Sequence, residues 1–271
     1  MTAPGKEASA RLAVVGGGKM GGALVAGLLR AGWARPDELV VVEPVAARRD
    51  ELAAAHEGLG VAAAPEPAEG AVVAVKPADV PAACAALAEA GVGRVLSIAA
   101  GVTLEGLESW LGPGTPVVRA MPNTPALVGC GAAAIAAGSS AGPADLDWAE
   151  GILSAVGVVV RVPEAALDAV TGLSGSGPAY VFLVAEALTE AGVLQGLSRE
   201  VSRTLAVQTL LGSARLLAES GQEAPDLRAA VTSPGGTTAA GLRALEAAAV
   251  RSAFLEAVAA ATERSRQLGR G

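Results

Sequence analysis

The amino-acid sequence predicts an α/β fold in which a doubly wound parallel sheet is followed by an all-α domain. In the first half, short runs of β-branched residues alternate with Ala- and Leu-rich helical stretches. Each run is continuously apolar, as in strands that are buried on both faces. After Pro163 only successive helices are predicted. We therefore expect a disordered N-terminal tail at 1–10, a sheet domain at 11–163 and a helical domain at 164–271.

The element pattern can be followed along the whole chain. The predicted strands are 12–15, 39–42, 71–75, 95–99 and 117–119, with helices at 20–31, 46–56 and 80–90 and further strands near 132–136 and 156–162. In the helical domain, Pro178 and Gly192 mark the expected ends of one helix, and Ser198 and Gly221 those of the next. Because 180–185 is apolar on every side, we expect this segment to be buried all round, by a second subunit or by the chain's own sheet domain.

Composition and charge exclude several classes of protein. The chain carries 27 acidic and 20 basic residues, a net charge of -7, which is the wrong sign for a nucleic-acid partner. Cys84 and Cys130 form no C-x-x-C pair, which fits a reducing cytosol, and the single histidine, His56, excludes a His-rich metal site. No apolar run reaches about 18 residues and no signal peptide is evident, so we expect a cytoplasmic protein with no membrane partner.

Gly16, Gly18 and Gly21 form a G-x-G-x-x-G motif between the first strand and the first helix. Gly16 permits the tight turn, Gly18 lets the backbone approach a pyrophosphate, and Gly21 lets the helix pack closely on the strand. The helix N-terminus presents free N–H groups to the phosphates. In this context the motif predicts a Rossmann-type dinucleotide site, and the alternative is a Gly-rich structural turn.

Glu43 follows the second strand and bears on the choice between NADH and NADPH. An acidic residue at this position usually accepts hydrogen bonds from the adenosine ribose and disfavours a 2′-phosphate. Arg48 and Arg49 come shortly afterwards and either bind that phosphate or lie on a solvated helix face. The sequence therefore leaves the choice of cofactor open.

Two further strands end in candidates for the same site. Val75, Lys76 and Pro77 close one strand on the ligand side of the sheet, where Lys76 either approaches the cofactor or lies at the surface. Asn123 supplies an amide within a loop that two prolines hold stiff.

Two Gly-rich segments interrupt the helical domain. The first, 174–180, is a flexible polar turn that leads into the apolar helix. In the second, 232–241, adjacent glycines permit unusual backbone geometry, and the N–H groups of Gly236, Thr237 and Thr238 would converge at the start of a helix. Such a nest binds carboxylates. The alternative is an ordinary N-cap with spare threonines.

The run 231–246, VTSPGGTTAAGLRALE, resembles the signature of pyrroline-5-carboxylate reductases throughout its length. The segments GGGKMGGAL, AVKP, SIAAGVTLEGL, RAMPNTPALV and SGSGPAY are similar to the same family in the same order. The resemblance implies a Rossmann domain and a helical domain that interlocks with a partner subunit in a homodimer. It also implies that dimers often assemble into larger rings.

The resemblance further implies roles for individual residues. The substrate carboxylate would lie on the loop 233–238. Thr238 would donate a hydrogen bond to the ring nitrogen of the imine or accept one from it. The cofactor, commonly NADPH in this family, would be lined by 16–21, 75–77 and the turn 99–101. The implied catalytic residue is Thr238, the substrate-binding candidates are Ser176, Ser233, Gly235, Gly236 and Thr237, and the cofactor-binding candidates are Gly16, Gly18, Lys19, Met20, Gly21, Glu43, Val75, Lys76, Pro77, Ala99, Ala100, Gly101 and Asn123.

The implied reaction transfers hydride from NADPH or NADH to the imine carbon of 1-pyrroline-5-carboxylate and gives proline, the last step of its biosynthesis. A protonated imine accepts hydride directly at carbon, so no alkoxide develops and no strong general acid is needed. We therefore expect hydroxyls and backbone amides at the site, and no catalytic role for His56.

Two other functions are alternatives. β-Hydroxyacid dehydrogenases resemble the pattern G-x-x-G-x-G-x-x-x-K, with an Asn four residues after the Lys. Gly172, Gly175 and Gly177 match its glycines, but Val181 and Ala185 stand in place of the Lys and the Asn. An alcohol would then have no acceptor for its proton, which favours imine chemistry. The second alternative, a non-catalytic nucleotide-binding regulator, would leave the Gly-Gly-Thr-Thr loop without a purpose.

Overall fold

The computed structural model describes residues 10–269, which divide into two compact units. The first unit contains 10–175 together with 261–269, and the second contains 176–260. The division falls further along the chain than the expected boundary at 163–164. The tail expected at 1–10 lies outside the described residues except for Ala10, which pairs with Ala68 in an isolated parallel bridge. Ala10 therefore belongs to the first unit.

The first unit is built on one eight-stranded sheet with the order β3-β2-β1-β4-β5-β6-β7-β8. The strands are β1 (Leu12–Val15), β2 (Leu39–Val42), β3 (Gly60–Ala62), β4 (Ala71–Val73), β5 (Val95–Ser97), β6 (Val117–Met121), β7 (Gly131–Ala137) and β8 (Gly157–Arg161). All neighbouring strands are parallel except β6 and β7. The order reverses at β1, so a ligand crevice is expected at the carboxyl ends of β1 and its neighbours.

Every predicted strand is present, with differences at the ends and one addition. β4 and β5 end earlier than expected, at Val73 and Ser97, and β6 continues to Met121. β3 was not predicted. It has 3 residues, all of intermediate burial, and Val61 is its single β-branched residue. So short an edge strand leaves no alternating or continuous apolar pattern in the sequence.

Helices cover both faces of the sheet. They are α1 (Lys19–Arg30), α2 (Ala46–Ala55), α3 (Val80–Glu89), α4 (Leu104–Leu111), α5 (Pro143–Ser154) and α6 (Leu167–Val170). Residues of α1, α2 and α5 join one core with Leu12 and Val14 of β1, whereas residues of α3, α4 and α6 join another with Ala13 and Val15. Because both faces of β1 are buried, its sequence is apolar at every position.

The second unit is helical, as predicted. It contains α7 (Gly177–Leu194), α8 (Arg199–Glu219), α9 (Ala224–Ala230), α10 (Thr237–Ala247) and the first part of α11 (Val250–Leu268). Ser198 caps α8, since its hydroxyl oxygen accepts from the Val201 amide at 3.2 Å. Gly221 has a φ of 68° just beyond that helix, which confirms it as the terminator.

The helix α7 was expected to end at Gly192, but it continues to Leu194. A side chain at Gly192 would place its Cβ 2.7 Å from the Ser202 hydroxyl of α8. The glycine therefore serves the close packing of the two helices, and Gly196, with a φ of 94°, takes the left-handed conformation after α7.

The apolar segment 180–185 of α7 is not buried all round within the single chain. Val181, Phe182 and Leu183 are 51%, 62% and 65% exposed. One chain alone therefore does not bury this segment on every side, and its burial by a second subunit stays a prediction.

The last residues of α11 pack within the first unit. The Ser265 hydroxyl donates to a carboxylate oxygen of Asp168 at 2.7 Å. Leu268 lies beside Gly101, where an added Cβ would be 3.7 Å from the leucine Cβ. The segment 261–269 is thus an integral part of the sheet unit.

Candidate active site

The glycine loop after β1 meets the geometric requirements of a dinucleotide site. Gly16 has a φ of 106°, and a Cβ there would lie 2.7 Å from the Ala74 carbonyl oxygen. A Cβ on Gly21 would lie only 2.0 Å from the Gly16 carbonyl oxygen. Both positions therefore require glycine for the turn and for the packing of α1 on it.

Gly18 differs from the other two glycines. It is the N-cap of α1, with φ -69° and ψ -170°, and no protein atom lies within 4 Å of a Cβ added there. No described residue accepts a hydrogen bond from the amides of Lys19, Met20 or Gly21 at the start of the helix. A free helix N-terminus beside an unobstructed backbone is suited to phosphate.

Glu43 lies beside the glycine loop, directly after β2. One carboxylate oxygen accepts from the Gly17 amide at 3.1 Å and the other from the Val45 amide at 3.1 Å. The carboxylate is thereby fixed at the place where the sequence predicts the adenosine ribose.

Both arginines near Glu43 contact backbone carbonyl oxygens. Arg48 donates through Nε to Gly17 at 2.9 Å and pairs with Glu51 at 2.6 Å. Arg49 donates to the carbonyls of Glu43 and Pro44 at 2.8 and 2.9 Å. The two guanidinium groups are therefore already engaged, and neither lies on a fully solvated helix face.

A cleft of about 270 Å³ opens on the other side of β1, at the carboxyl ends of β4, β5 and β6. Of the predicted cofactor residues, those that line it are Met20, Val75, Ala99, Ala100 and Asn123. Lys76 and Pro77 are exposed and do not line it; Pro77 instead starts a 3-10 turn. Gly101 lies just outside it and has a φ of 76°, which permits the turn after Ala100.

The cleft also includes residues that were not among the predicted site residues, although three of them belong to the proline-flanked loop around Asn123 that the sequence indicated as a candidate. They are Ala74, Ile98, Met121, Pro122, Thr124 and Gly175. Most are apolar, so they resemble core residues in the sequence. Ala74, Ile98 and Pro122 directly follow strands, and this position was the available signal, because ligands bind at the carboxyl ends of parallel strands. Gly175 instead ends the π-helical turn before α7 and gives no such signal. No residue that lines the cleft in the described part of the chain is acidic, basic or histidine.

Asn123 lies at the edge of this cleft, but its side-chain amide contacts protein backbone. The amide nitrogen donates to the Ser174 carbonyl at 3.0 Å, and the amide oxygen accepts from the Ala132 N–H at 2.8 Å. The segment 174–180, expected to be a flexible turn, is instead helical for most of its length. Its first two residues end the π-helical turn Thr171–Gly175, and α7 begins at Gly177. Ser176 follows that turn as the N-cap of α7, without a side-chain capping bond.

The loop predicted to bind substrate in the second unit has only part of the expected geometry, because the Gly236 amide already donates to a backbone carbonyl and only the Thr237 and Thr238 amides of the predicted nest have no such partner among the described residues. Gly235 has a φ of 70°, and Gly236 donates to the Ser233 carbonyl at 3.0 Å. Gly236 is the N-cap of α10, so the adjacent Thr237 and Thr238 lie inside the first turn and do not cap it. No described residue accepts from the amides of Thr237, Thr238 or Ala239. This geometry favours the nest over the alternative of a threonine N-cap.

Histidine and cysteine contribute nothing to this site. The described residues contain no group of three or more His, Cys, Asp or Glu side chains that could hold a metal ion. His56 follows the end of α2. Cys84 is buried in the core, and burial raises the pKa of its thiol to about 11.

A Rossmann-type unit with an open glycine loop, in a chain that also contains a helical unit, defines an oxidoreductase of the nicotinamide-dinucleotide class. Residues 11–101 match the family model described as NADP oxidoreductase coenzyme F420-dependent. Residues 164–268 match the model described as pyrroline-5-carboxylate reductase dimerisation. The chain belongs to the pyrroline-5-carboxylate reductase family.

Individual relatives agree with this placement. The chain is 48% identical to the pyrroline-5-carboxylate reductase of Mycobacterium tuberculosis, over 96% of this chain and 97% of that protein. The solved pyrroline-5-carboxylate reductase of Coxiella burnetii has a TM-score of 0.90 and 36% identity, over 96% of this chain and 98% of that one. The Plasmodium falciparum pyrroline carboxylate reductase, solved with NADP bound, has a TM-score of 0.83 and 31% identity, over 98% of this chain and 100% of that one.

Proposed function

We propose that this chain reduces 1-pyrroline-5-carboxylate to proline with NAD(P)H. The proposal is supported by the chemistry of the cofactor cleft and of the loop 233–238, together with membership of the pyrroline-5-carboxylate reductase family. The cofactor cleft contains no acidic, basic or histidine side chain among its described residues, and the substrate loop offers amides and hydroxyls. Such groups suit a protonated imine, which needs no base, and do not suit an alcohol, which does.

Each group of residues has a distinct task in this reaction. The glycine loop and the free amides of α1 hold the pyrophosphate, and Glu43 holds the adenosine ribose. When bound, the reduced nicotinamide supplies the hydride. The amides of Thr237 and Thr238 hold the substrate carboxylate, and the Thr238 hydroxyl meets the ring nitrogen. These contacts orient the imine carbon and stabilise charge near the nitrogen, which accounts for catalysis without an acid–base residue.

The direct test is a spectrophotometric assay with racemic pyrroline-5-carboxylate and either NADH or NADPH. We expect substrate-dependent loss of reduced-nicotinamide absorbance, with proline as the product. A folded protein that binds nucleotide but turns over neither mixture would refute the activity and leave the fold and the family intact.

We further propose that the ribose subsite favours NADH. The fixed carboxylate of Glu43 would repel a 2′-phosphate, and Arg48 and Arg49 are engaged by backbone carbonyls. Glu43→Ser should therefore raise the ratio of kcat/KM with NADPH to kcat/KM with NADH by about 10-fold or more, as expected when repulsion worth about 1.4 kcal/mol is removed. The ratio is measured by steady-state kinetics with each cofactor. Glu57→Ser, an exposed acid in the same unit, is the matched control. An unchanged ratio in Glu43→Ser would mean that the carboxylate does not face the ribose.

We also propose that the exposed apolar face of α7 is covered by a second copy of this chain in a homodimer, and that the protein is cytoplasmic. The segment Glu164–Leu194 is long and apolar enough to cross a membrane by length and composition alone. It lies, however, inside the match to the dimerisation model. An apolar face of this extent in such a domain fits a subunit interface.

Leu183→Glu tests this assignment. A charge buried in an apolar interface costs several kcal/mol, so we expect the variant to sediment as a monomer at concentrations where the wild type is a dimer. The same experiment reveals larger rings, should dimers assemble further. Gln222→Glu adds the same charge on an exposed loop of the second unit and should retain the wild-type mass. A wild-type monomer, or a protein that floats with lipid vesicles, would refute the homodimer.

A further inference from the structure

Asn123 is the only asparagine in the sequence, and it lies between β6 and the 3-10 turn Thr124–Val128. Its side chain joins two backbone segments that are distant along the chain. One is the β7 residue Ala132, and the other is the π-helical turn Thr171–Gly175, through the Ser174 carbonyl. A single side chain therefore connects the loop after β6 by hydrogen bonds to β7 and to the π-helical turn.

The π-helical turn approaches the cleft closely at Gly175. This residue lines the cleft, and a Cβ added there would lie 2.6 Å from the Met121 Cε atom. Within the turn, the hydroxyls of Thr171 and Ser174 donate backwards to the Leu167 and Val170 carbonyls at 2.8 and 3.1 Å. These bonds run back along the chain, whereas the bond from Asn123 joins the turn to the loop after β6. Short π-helical segments of this kind are frequent at functional sites.

The order of the strands indicates which part of the cofactor this end of the crevice serves. Glu43 follows β2 on one side of β1, whereas the cleft follows β4, β5 and β6 on the other side. With the pyrophosphate on the glycine loop between them, a bound dinucleotide would place its adenosine on the β2 side and its nicotinamide in the cleft. A shift of the π-helical turn would therefore disturb the nicotinamide and leave the adenosine contacts in place.

We propose that Asn123 is a positioning residue for hydride transfer, which acts by donating to the Ser174 carbonyl and so holds the π-helical turn against the nicotinamide end of the cleft. It is not a ligand of the cofactor. The inference rests on the proposed function, because the effect of a misplaced nicotinamide is measured through turnover.

Asn123→Asp isolates the donated bond. The new side chain has the same size and can still accept from Ala132, but a carboxylate oxygen then faces the Ser174 carbonyl. We expect kcat to fall by about 10- to 100-fold, as for a displacement of reacting groups by about 1 Å. The dissociation constant of the reduced cofactor, measured by fluorescence titration, should stay within about 3-fold of the wild type.

Protonation of the introduced carboxyl restores a donor, which gives the inference a signature that mere disruption lacks. The charged groups on the packed elements are Lys19 and Arg30 at the two ends of α1, Arg119 of β6 paired with Glu164, and Asp168 of α6, which accepts from Ser265. The ratio of variant to wild-type kcat should therefore rise as the pH falls from about 8 to about 5, as a carboxyl with a raised pKa is protonated. Asn123→Ala should lower kcat without this recovery.

Three results would overturn the inference. They are wild-type kcat in both variants, a pH-independent deficit in Asn123→Asp, and a weakening of cofactor binding that accounts for the whole loss of kcat/KM. If the wild type itself shows no turnover, the proposed function fails. Whether Asn123 contacts the cofactor directly is then tested by a binding measurement that does not depend on turnover. In protein labelled with ¹⁵N-asparagine, the side-chain nitrogen of Asn123 gives one pair of N–H signals, which should keep their shifts when NADH or NADPH is added. A large shift would identify a direct cofactor ligand.

Discussion

Replacing Thr238 by alanine is expected to lower kcat/KM for pyrroline-5-carboxylate by about 10- to 1,000-fold, the range for loss of one preorganised donor. Thr238 lies in the first turn of α10, where its side chain is exposed and forms no hydrogen bond with any described residue. Its hydroxyl is therefore available to the imine nitrogen. Steady-state kinetics with saturating cofactor provide the measurement.

Two controls separate the hydroxyl from the fold. Thr238→Ser keeps the hydroxyl and should retain kcat/KM within a few-fold of the wild type, because the hydrogen bond is preserved. Nucleotide affinity should be unchanged in both variants, since the glycine loop belongs to the other unit. Wild-type kinetics in Thr238→Ala would remove this residue from the catalytic assignment.

Gly18→Val is expected to weaken binding of NADH and NADPH by about 5- to 150-fold, which corresponds to an overpacking cost of about 1–3 kcal/mol. The protein leaves the space around Gly18 open, and the backbone there has an extended conformation that any residue adopts. The valine would thus obstruct only the pyrophosphate. Nucleotide titration should show the loss, whereas the free energy of unfolding should change by about 1 kcal/mol or less, the usual effect at an N-cap.

Gly21→Ala should behave in the opposite way. Its Cβ would lie 2.0 Å from the Gly16 carbonyl oxygen, so we expect a clear fall in Tm. Gly22→Ala is the matched control inside the same helix turn, because the nearest atom to its Cβ is an Arg48 Nη2 at 3.8 Å. If Gly18→Val lowered Tm as much as Gly21→Ala, Gly18 would be structural and the phosphate assignment would be wrong.

Much of the sheet unit could be predicted because both of its faces are buried. Strands such as Leu12–Val15 are apolar at every position, and the glycine loop follows at the place that the fold requires. Prediction from the sequence failed where one residue type can serve two structural purposes. Gly192 has the chemistry of a helix terminator, but its role is the contact with Ser202, which only the packing of α7 on α8 reveals.

The candidate site was predictable to the extent that its residues have unusual chemistry. The Gly-Gly-Thr-Thr run is recognisable because few structural roles need that sequence. Lys76, by contrast, has a plausible position after a strand, yet its side chain lies outside the cleft. The role of Asn123 depends on Ala132 and Ser174, two backbone partners from distant parts of the chain. Contacts of this kind are set by tertiary structure and leave no local pattern.

The return of residues 261–269 to the first unit has a consequence for biosynthesis of the polypeptide. The Rossmann unit cannot complete its contacts, including those of Ser265 with Asp168 and of Leu268 with Gly101, until the whole helical unit has been translated. Domains generally fold as units during synthesis, in order from the N-terminus. In this chain the nucleotide-binding unit can complete its contacts only once residues 261–269 have been made and released, so that a product truncated before residue 261 lacks part of this unit.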